Sequence, residues 1–283
     1  MNTSFADIEK KENRKDLIIS ICVFLSGFSC FAQLYYFQPL LPDLAKDFIL
    51  SASESSFAIS FSTLGMVFGL FTTMFVADRI PRKKMIGTGL LSSSIFSVAA
   101  SFSPTFLPLI LLSAAKGFLL SGATSVSMAY IAEEVSSRNK GKIMGLYIAG
   151  NALGGMAGRV ISSWIGALYT WLIASVSIGL ICALFAILFL LFSPRSTNFM
   201  PRKESFHTLI IANLQLITSK ALIPFYLTGG LILGVFIQLP GILSDQSTFQ
   251  FPGTLYPLYL FNVYIRYFRV DCDSRTHPVL HSF

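Results

Sequence analysis

The chain has 283 residues, of which 53% are hydrophobic and 12% charged, and a formal net charge of +7. A soluble domain carries roughly 25% charged residues, so the composition excludes an ordinary soluble fold and points to a chain that lives in lipid. The positive balance does not mark a nucleic-acid binder, because the cations fall in separate gaps between apolar runs and not on one helix face or patch.

Those gaps alternate. Lys10, Lys11, Arg14 and Lys15 precede the first apolar run. Arg79, Arg82, Lys83 and Lys84 follow the second, Arg138, Lys140 and Lys142 the fourth, and Arg195, Arg202, Lys203 and Lys220 the sixth. The intervening gaps hold Lys46, no cation, and nearby Arg159. Basic segments resist crossing a bilayer, so the cationic gaps and the amino terminus read as cytoplasmic, where they also meet anionic lipid headgroups.

In chain order, residues 1–16 form a cytoplasmic tail mixing Asp7, Glu9, Glu12 and Asp16 with the first cations. Leu17 to Pro42 carries no charge until Asp43 and holds span 1, ending near Phe37; without a small-residue cleavage site it reads as a retained anchor. Ser55 to Ala77 is span 2. The long run from Met85 is split by Ser103-Pro104-Thr105 into span 3, residues 85–102, and span 4, residues 106–131. Ile143 to Trp164 is span 5 and residues 171–192 span 6, divided by a turn near Gly166–Thr170. The expected fold is an all-α polytopic membrane protein with a six-helix bundle over 17–192. A polar, basic cytoplasmic linker follows over 193–219, then a seventh span over 220–244 and an atypical tail over 245–283.

The linking motifs resemble a known family. Ala77-Asp78-Arg79-Ile80-Pro81-Arg82-Lys83-Lys84 is similar to the signature loop of the major facilitator superfamily, G-x-x-x-D-R/K-x-G-R-R/K-K. Tyr36-Phe37-Gln38-Pro39-Leu40-Leu41-Pro42, the pair Glu133-Glu134 with Arg138, and the run Gly145 to Arg159 resemble the bacterial inner-membrane efflux branch. The resemblance covers roughly residues 17 to 237. It implies a bundle built as a 3+3 inverted repeat, and a secondary, proton-coupled exporter of a small organic solute in the inner membrane. Met74 and Pro81 stand in place of the loop's two glycines, Ser113 in place of a span-4 arginine, and Gly155 where the antiporter version of the span-5 motif has proline. No Asp or Glu lies in the middle of spans 1 to 6, so the obvious proton carrier is missing.

Several residues are candidates for the work. Asp78 suits a hydrogen-bonded latch at a helix N-terminus, with Arg79, Arg82, Lys83 and Lys84 on lipid phosphate or a partner acid; the plainer reading is a loop that only fixes topology. The resemblance adds Glu133 and Arg138, before span 5, to the same conformational group. Gly150, Gly154 and Gly158, like Gly65 and Gly69, repeat at helical spacing and allow close helix approach, either sliding or static. Lys116 lies deep in span 4, where a cation costs about 2.5–3.5 kcal/mol. It attracts an anionic substrate, titrates, or snorkels. Gln33, Tyr35, Tyr36 and Asn151 offer hydrogen bonds to a ligand in the pathway, although the tyrosines fit an interfacial belt equally. Arg159 is expected to reach headgroups.

No catalytic constellation, metal set or cofactor motif emerges. His207, His277 and His281 lie outside the spans, Cys22, Cys30, Cys182 and Cys272 have no ligand or disulfide spacing, and neither a G-x-S-x-G elbow nor a membrane-embedded Asp pair is present. After Ile237 the pattern changes, with Pro240, Pro252 and Pro257 and then Arg266, Arg269 and Arg275. Twelve spans need on the order of 400 residues, so the expectation is a chain truncated or frameshifted after Ile237. Three functions stay open: a transporter, which if active pairs with a second half; a non-transporting half-bundle; and a membrane assembly or sensing protein.

Overall fold

A computed structural model describes residues 5–199, 201, 218–219, 222–224 and 226–231. The chain divides into two units, residues 1–201 and 202–283. Within the second, residues 223, 224 and 226–231 are helical; most of the expected linker, seventh span and tail lies outside the described residues.

Among the described residues the first unit is built from eight α-helices and one short 3-10 helix. α1 spans Phe5–Tyr35, the 3-10 turn Gln38–Leu40, α2 Leu41–Asp47 and α3 Ala52–Ser55. Then come α4 Phe57–Val76, α5 Arg82–Ser101, α6 Phe106–Glu134, α7 Lys140–Leu168 and α8 Trp171–Phe192. The six long helices coincide with the six expected spans. α1 begins well before span 1, because its charged first turns continue the same helix. α2 and α3 fill the first outer gap, where Ser51 and Glu54 form a reciprocal capping box that starts α3.

Among the described residues four stretches are long and apolar enough to cross a membrane: 12–47, 52–76, 106–134 and 171–192. α5 and α7 have the length, but serines and cations dilute α5, and glycines and cations dilute α7. Their polarity is turned inward: Ser93, Ser94, Ser97 and Ser101 of α5 and Ser162 and Ser163 of α7 are buried. Most of these hydroxyls donate to a carbonyl of their own helix or a neighbour, as Ser93 does to Leu90 at 2.8 Å and Ser162 to Tyr36 at 2.8 Å. Buried polar groups in lipid must be satisfied internally.

α4 packs on α6, α1 on α7, and α5 on both α6 and α8. Two apolar clusters result. One gathers Ile19, Val23, Ile86, Leu90, Leu120, Tyr130, Ile143 and Phe189. The other gathers Tyr36, Phe37, Leu40, Leu44, Leu109, Trp171 and Ile178. On α6, Ser113 and Lys116 fall between Leu109 of the second cluster and Leu120 of the first. On α1, Gln33 falls between Cys30 and Tyr36 in the same way. A polar layer therefore divides the apolar interior. Outward, Phe57, Phe61, Leu64, Phe68 and Phe71 leave α4 with an exposed apolar face.

Candidate functional site

The helix ends that carry the basic gaps are tied by a dense polar network. Arg82, the first residue of α5, donates to Asp78 Oδ1 at 2.9 Å, to Glu133 Oε1 at 3.0 and 3.1 Å, and to the Ala77 carbonyl at 2.7 Å. Its guanidinium also lies 5.0 Å from the Phe199 ring centroid. Of the two partners proposed for the loop cations, Arg82 takes the acid. Asp78 accepts from this side chain, where the sequence had suggested a helix N-terminus. Lys83 donates through Nζ to the Ser193 carbonyl and through its backbone N–H to Ser196 Oγ. Arg79, Lys84 and Arg138 are exposed.

Glu134, at the end of α6, is the hub that sequence reasoning missed. It is buried and accepts from Lys15 Nζ at 2.9 Å, Thr197 Oγ1 at 2.9 Å and the Asn198 N–H at 2.7 Å. Burial pushes its carboxyl up, but the Lys15 ammonium and the Asn198 and Thr197 donors outweigh burial and hold it below the ordinary carboxylate range. Asn198 Nδ2 also donates to the Glu133 carbonyl at 2.8 Å. Asp16 near the start of span 1 accepts from Ser136 Oγ at 2.5 Å and Asn139 Nδ2 at 2.8 Å. The adjacent pair Glu133-Glu134 was the available signal, since one carboxylate facing each way at a helix end reaches two neighbours. Nothing in the sequence announced that the residues just after α8 would supply the donors.

The glycines sit at backbone-to-backbone contacts. A Cβ at Gly150, Gly154 or Gly158 of α7 would collide with the backbone of α1 at Phe24, Phe28 or Ala32 respectively. A Cβ at Gly65 would meet the Ala114 carbonyl, and one at Gly69 would meet Phe118 and Ser121, both on α6. Two partners escaped the sequence reading. Gly117 of α6 lies against the Ser62 carbonyl of α4, and Gly27 of α1 lies against the Asn151 amide of α7. Asn151 thus belongs to the α1–α7 seam, half-buried, with its Oδ1 making no hydrogen bond.

The mid-bundle candidates are enclosed. Gln33, Tyr36 and Lys116 are 0% exposed and Tyr35 4% exposed, so neither tyrosine stands in an interfacial belt and Lys116 does not snorkel. Gln33 Nε2 donates to Ser94 Oγ at 3.2 Å, and Ser97 Oγ donates to Tyr36 OH at 3.1 Å. Lys116 Nζ lies 4.6 Å from the Tyr36 ring centroid and 4.8 Å from that of Phe37. It makes no hydrogen bond to a described protein group. Arg159 corrects the expectation of a headgroup contact. It is 1% exposed, donates through Nε to Gln38 Oε1 at 2.6 Å, and stacks 4.5 Å over Tyr35. Its position near the outer end of α7 had suggested snorkelling, but the turn at Tyr36–Leu40 folds over the guanidinium. No group of three or more His, Cys, Asp or Glu side chains suited to a metal occurs among the described residues.

Residues 20–266 match the family model of the Major Facilitator Superfamily. The chain belongs to that superfamily. The match runs past Ile237, where the sequence reading placed a break. An uncharacterized transporter of Buchnera aphidicola subsp. Schizaphis graminum is 35% identical over 84% of this chain and 57% of the relative. The Escherichia coli inner membrane transport protein YnfM is 34% identical over 78% of the chain and 53% of the relative. The Bacillus subtilis uncharacterized MFS-type transporter YybF is 31% identical over 78% and 55%. The chain spans just over half the length of these relatives. Superfamily membership agrees with the all-α polytopic membrane fold described above.

Proposed function

We propose that this chain forms the amino-terminal half of a secondary transporter that exports a small organic solute across a bacterial inner membrane, with protons as the coupling ion. The amino terminus and the residue 193–219 linker face the cytoplasm in this reading. The observation that carries it is the gathering of Lys15, Asp78, Arg82, Glu133 and Glu134 at one end of a six-helix bundle. These charges can be satisfied in one conformation and exchanged in another, which is what a switching transporter needs at its cytoplasmic face. Close backbone approach at Gly150, Gly154 and Gly158 to α1, and at Gly65 and Gly69 to α6, supports helices that slide with few interdigitated side chains to unlock.

Transport belongs to the whole protein. Pathways of this type lie between two bundles, so a second half, supplied by further chain or a second molecule, is required for flux. Topology is tested by placing single cysteines at Ser205 and Ser103 and labelling intact cells with an impermeant maleimide. Ser103 is expected to react from outside and Ser205 only after permeabilisation; outside labelling of Ser205 overturns the orientation. Solute flux in inside-out vesicles, with and without a pH gradient, tests direction and coupling.

A further inference from the structure

We propose that the polar layer in the middle of the bundle is an anion-recognition site, and that the solute is a small organic acid carried in its charged form. This rests on the transporter reading above and gives that solute a chemical class. Lys116 is the principal ligand, and Arg159 is the second cation on the same aromatic corner.

Lys116 Nζ is fully buried, and none of its three N–H donors is used by a described protein group. Ser113, one turn earlier on the same face of α6, is also buried with its hydroxyl unbonded, as is Ser29 on α1. Cys182 of α8 lies close enough to Lys116 to interact electrostatically and touches the Ser29 carbonyl, which brings α1, α6 and α8 to one place. The idle donors of Lys116 and Ser113 share one face of α6, and Ser29 and Gln33, each with an unbonded side-chain oxygen, flank the Cys182 thiol. A surplus of donors around a cation is the complement of an oxyanion.

What holds the cation in the meantime is also informative. Lys116 rests on the faces of Tyr36 and Phe37, and Arg159 rests on Tyr35, so three consecutive aromatic residues carry two cations. An Asp or Glu in that place would bind the ammonium permanently. A ring face attracts the cation without cancelling its charge, so an incoming carboxylate can still supply the missing negative charge. Neither span 1 nor α4–α8 carries Asp or Glu in its middle, so nothing in the sequence competes for that role. An intramembrane lysine that cannot snorkel calls for such a partner.

The conformation seen is closed over the site. Tyr36 and Phe37 form the turn between α1 and the 3-10 helix Gln38–Leu40, outside regular α-helix. A shift of this corner uncovers Lys116 at the cost of the last α1 rung, Tyr36 N–H to the Ala32 carbonyl at 3.1 Å, and of the Ser162 bond to the Tyr36 carbonyl at 2.8 Å.

The test uses the full 283-residue chain in nanodiscs and two size-matched probe series: benzoate, benzamide and benzylammonium, and butyrate, butyramide and butylammonium. Thermal unfolding is followed at rising probe concentration, since a ligand that binds only the folded chain raises the midpoint. At least one anion is expected to raise it, the amides and ammonium ions are not, and Lys116→Met and Lys116→Gln are expected to weaken the anion response about tenfold or more. Lys116→Arg should restore most of it. The proposal is overturned if neither anion raises the midpoint, if Lys116→Met responds like the parent chain, or if a neutral or cationic probe stabilises as well as its anion. The last result would leave a transporter of uncharged or cationic solutes in place. Absence of any solute flux by a whole two-bundle protein would instead remove the transporter reading.

Discussion

The charged end and the middle of this bundle handle charge in opposite ways. At the end, Arg82 has two carboxylates and Glu134 has an ammonium and two further donors, all within 3.1 Å. In the middle, Lys116 has two ring faces and no hydrogen bond. The first arrangement is what a chain does when charge must be neutralised beside water and lipid headgroups. The second leaves an ionisable amine without a carboxylate where a charge is costly to hold. A fold that satisfies Glu134 so fully has not left Lys116 bare for want of means.

The sharpest way to break the comparison is at the well-satisfied end. Glu134→Ala removes the acceptor of Lys15, Thr197 and Asn198 and should cost about 2–3 kcal/mol of stability, discounted for the partial exposure of Lys15, read as a lowered unfolding midpoint in detergent. Its pH dependence has a definite sign. Because the folded carboxyl lies below its ordinary value of 4.5, its contribution is fully present above that pH. It is lost as pH falls through the lower folded value. Glu134→Gln should flatten that acid-side decline.

Lys116→Met sharpens the comparison from the other side. Removing an uncompensated buried cation should raise stability by about 2 kcal/mol, so the midpoint moves up while the charged end is untouched. A lowered midpoint would mean that the cation is compensated after all.

A smaller effect is expected at the seams. Gly154→Ala drives a methyl into the Phe28 backbone and should cost about 1–3 kcal/mol. Gly145→Ala, with nothing within 4 Å of the new atom, should be neutral or gain up to about 1 kcal/mol from helix propensity. Smallest is Asp78→Asn. The Arg82–Asp78 pair leaves the Asp78 side chain 40% exposed, and a pair that open is worth under about 1 kcal/mol. Its removal should change conformational equilibria more than stability, measurable as altered cysteine accessibility at the loop.

Apolar length and proline placement made the helices legible. Span 6 was expected over 171–192, and α8 occupies Trp171–Phe192; the Ser103-Pro104-Thr105 split separates α5 from α6. Charge alternation set the grouping of Arg82 with acids at one end. The sequence could not disclose which partner each group finds across more than a hundred residues, because periodicity reports the face of a helix and not its neighbour. Asp16 with Asn139, and Lys15 with Glu134, are of this kind. Arg159 was misjudged for a related reason. Its height along α7 resembled that of a snorkelling residue, and only the fold of Tyr36–Leu40 over it closed the route to the headgroups.

The six residues that follow α8 work as a strap. Ser193 is held by Tyr130 of α6, Ser196 by the Lys83 amide of α5, and Thr197 and Asn198 by Glu134 of α6. The chain therefore stays fastened across the ends of two other helices after its own helix has stopped. Any motion that parts α5 from α6 at this end must first peel the strap away, so small polar side chains outside every helix help set how far those ends can separate.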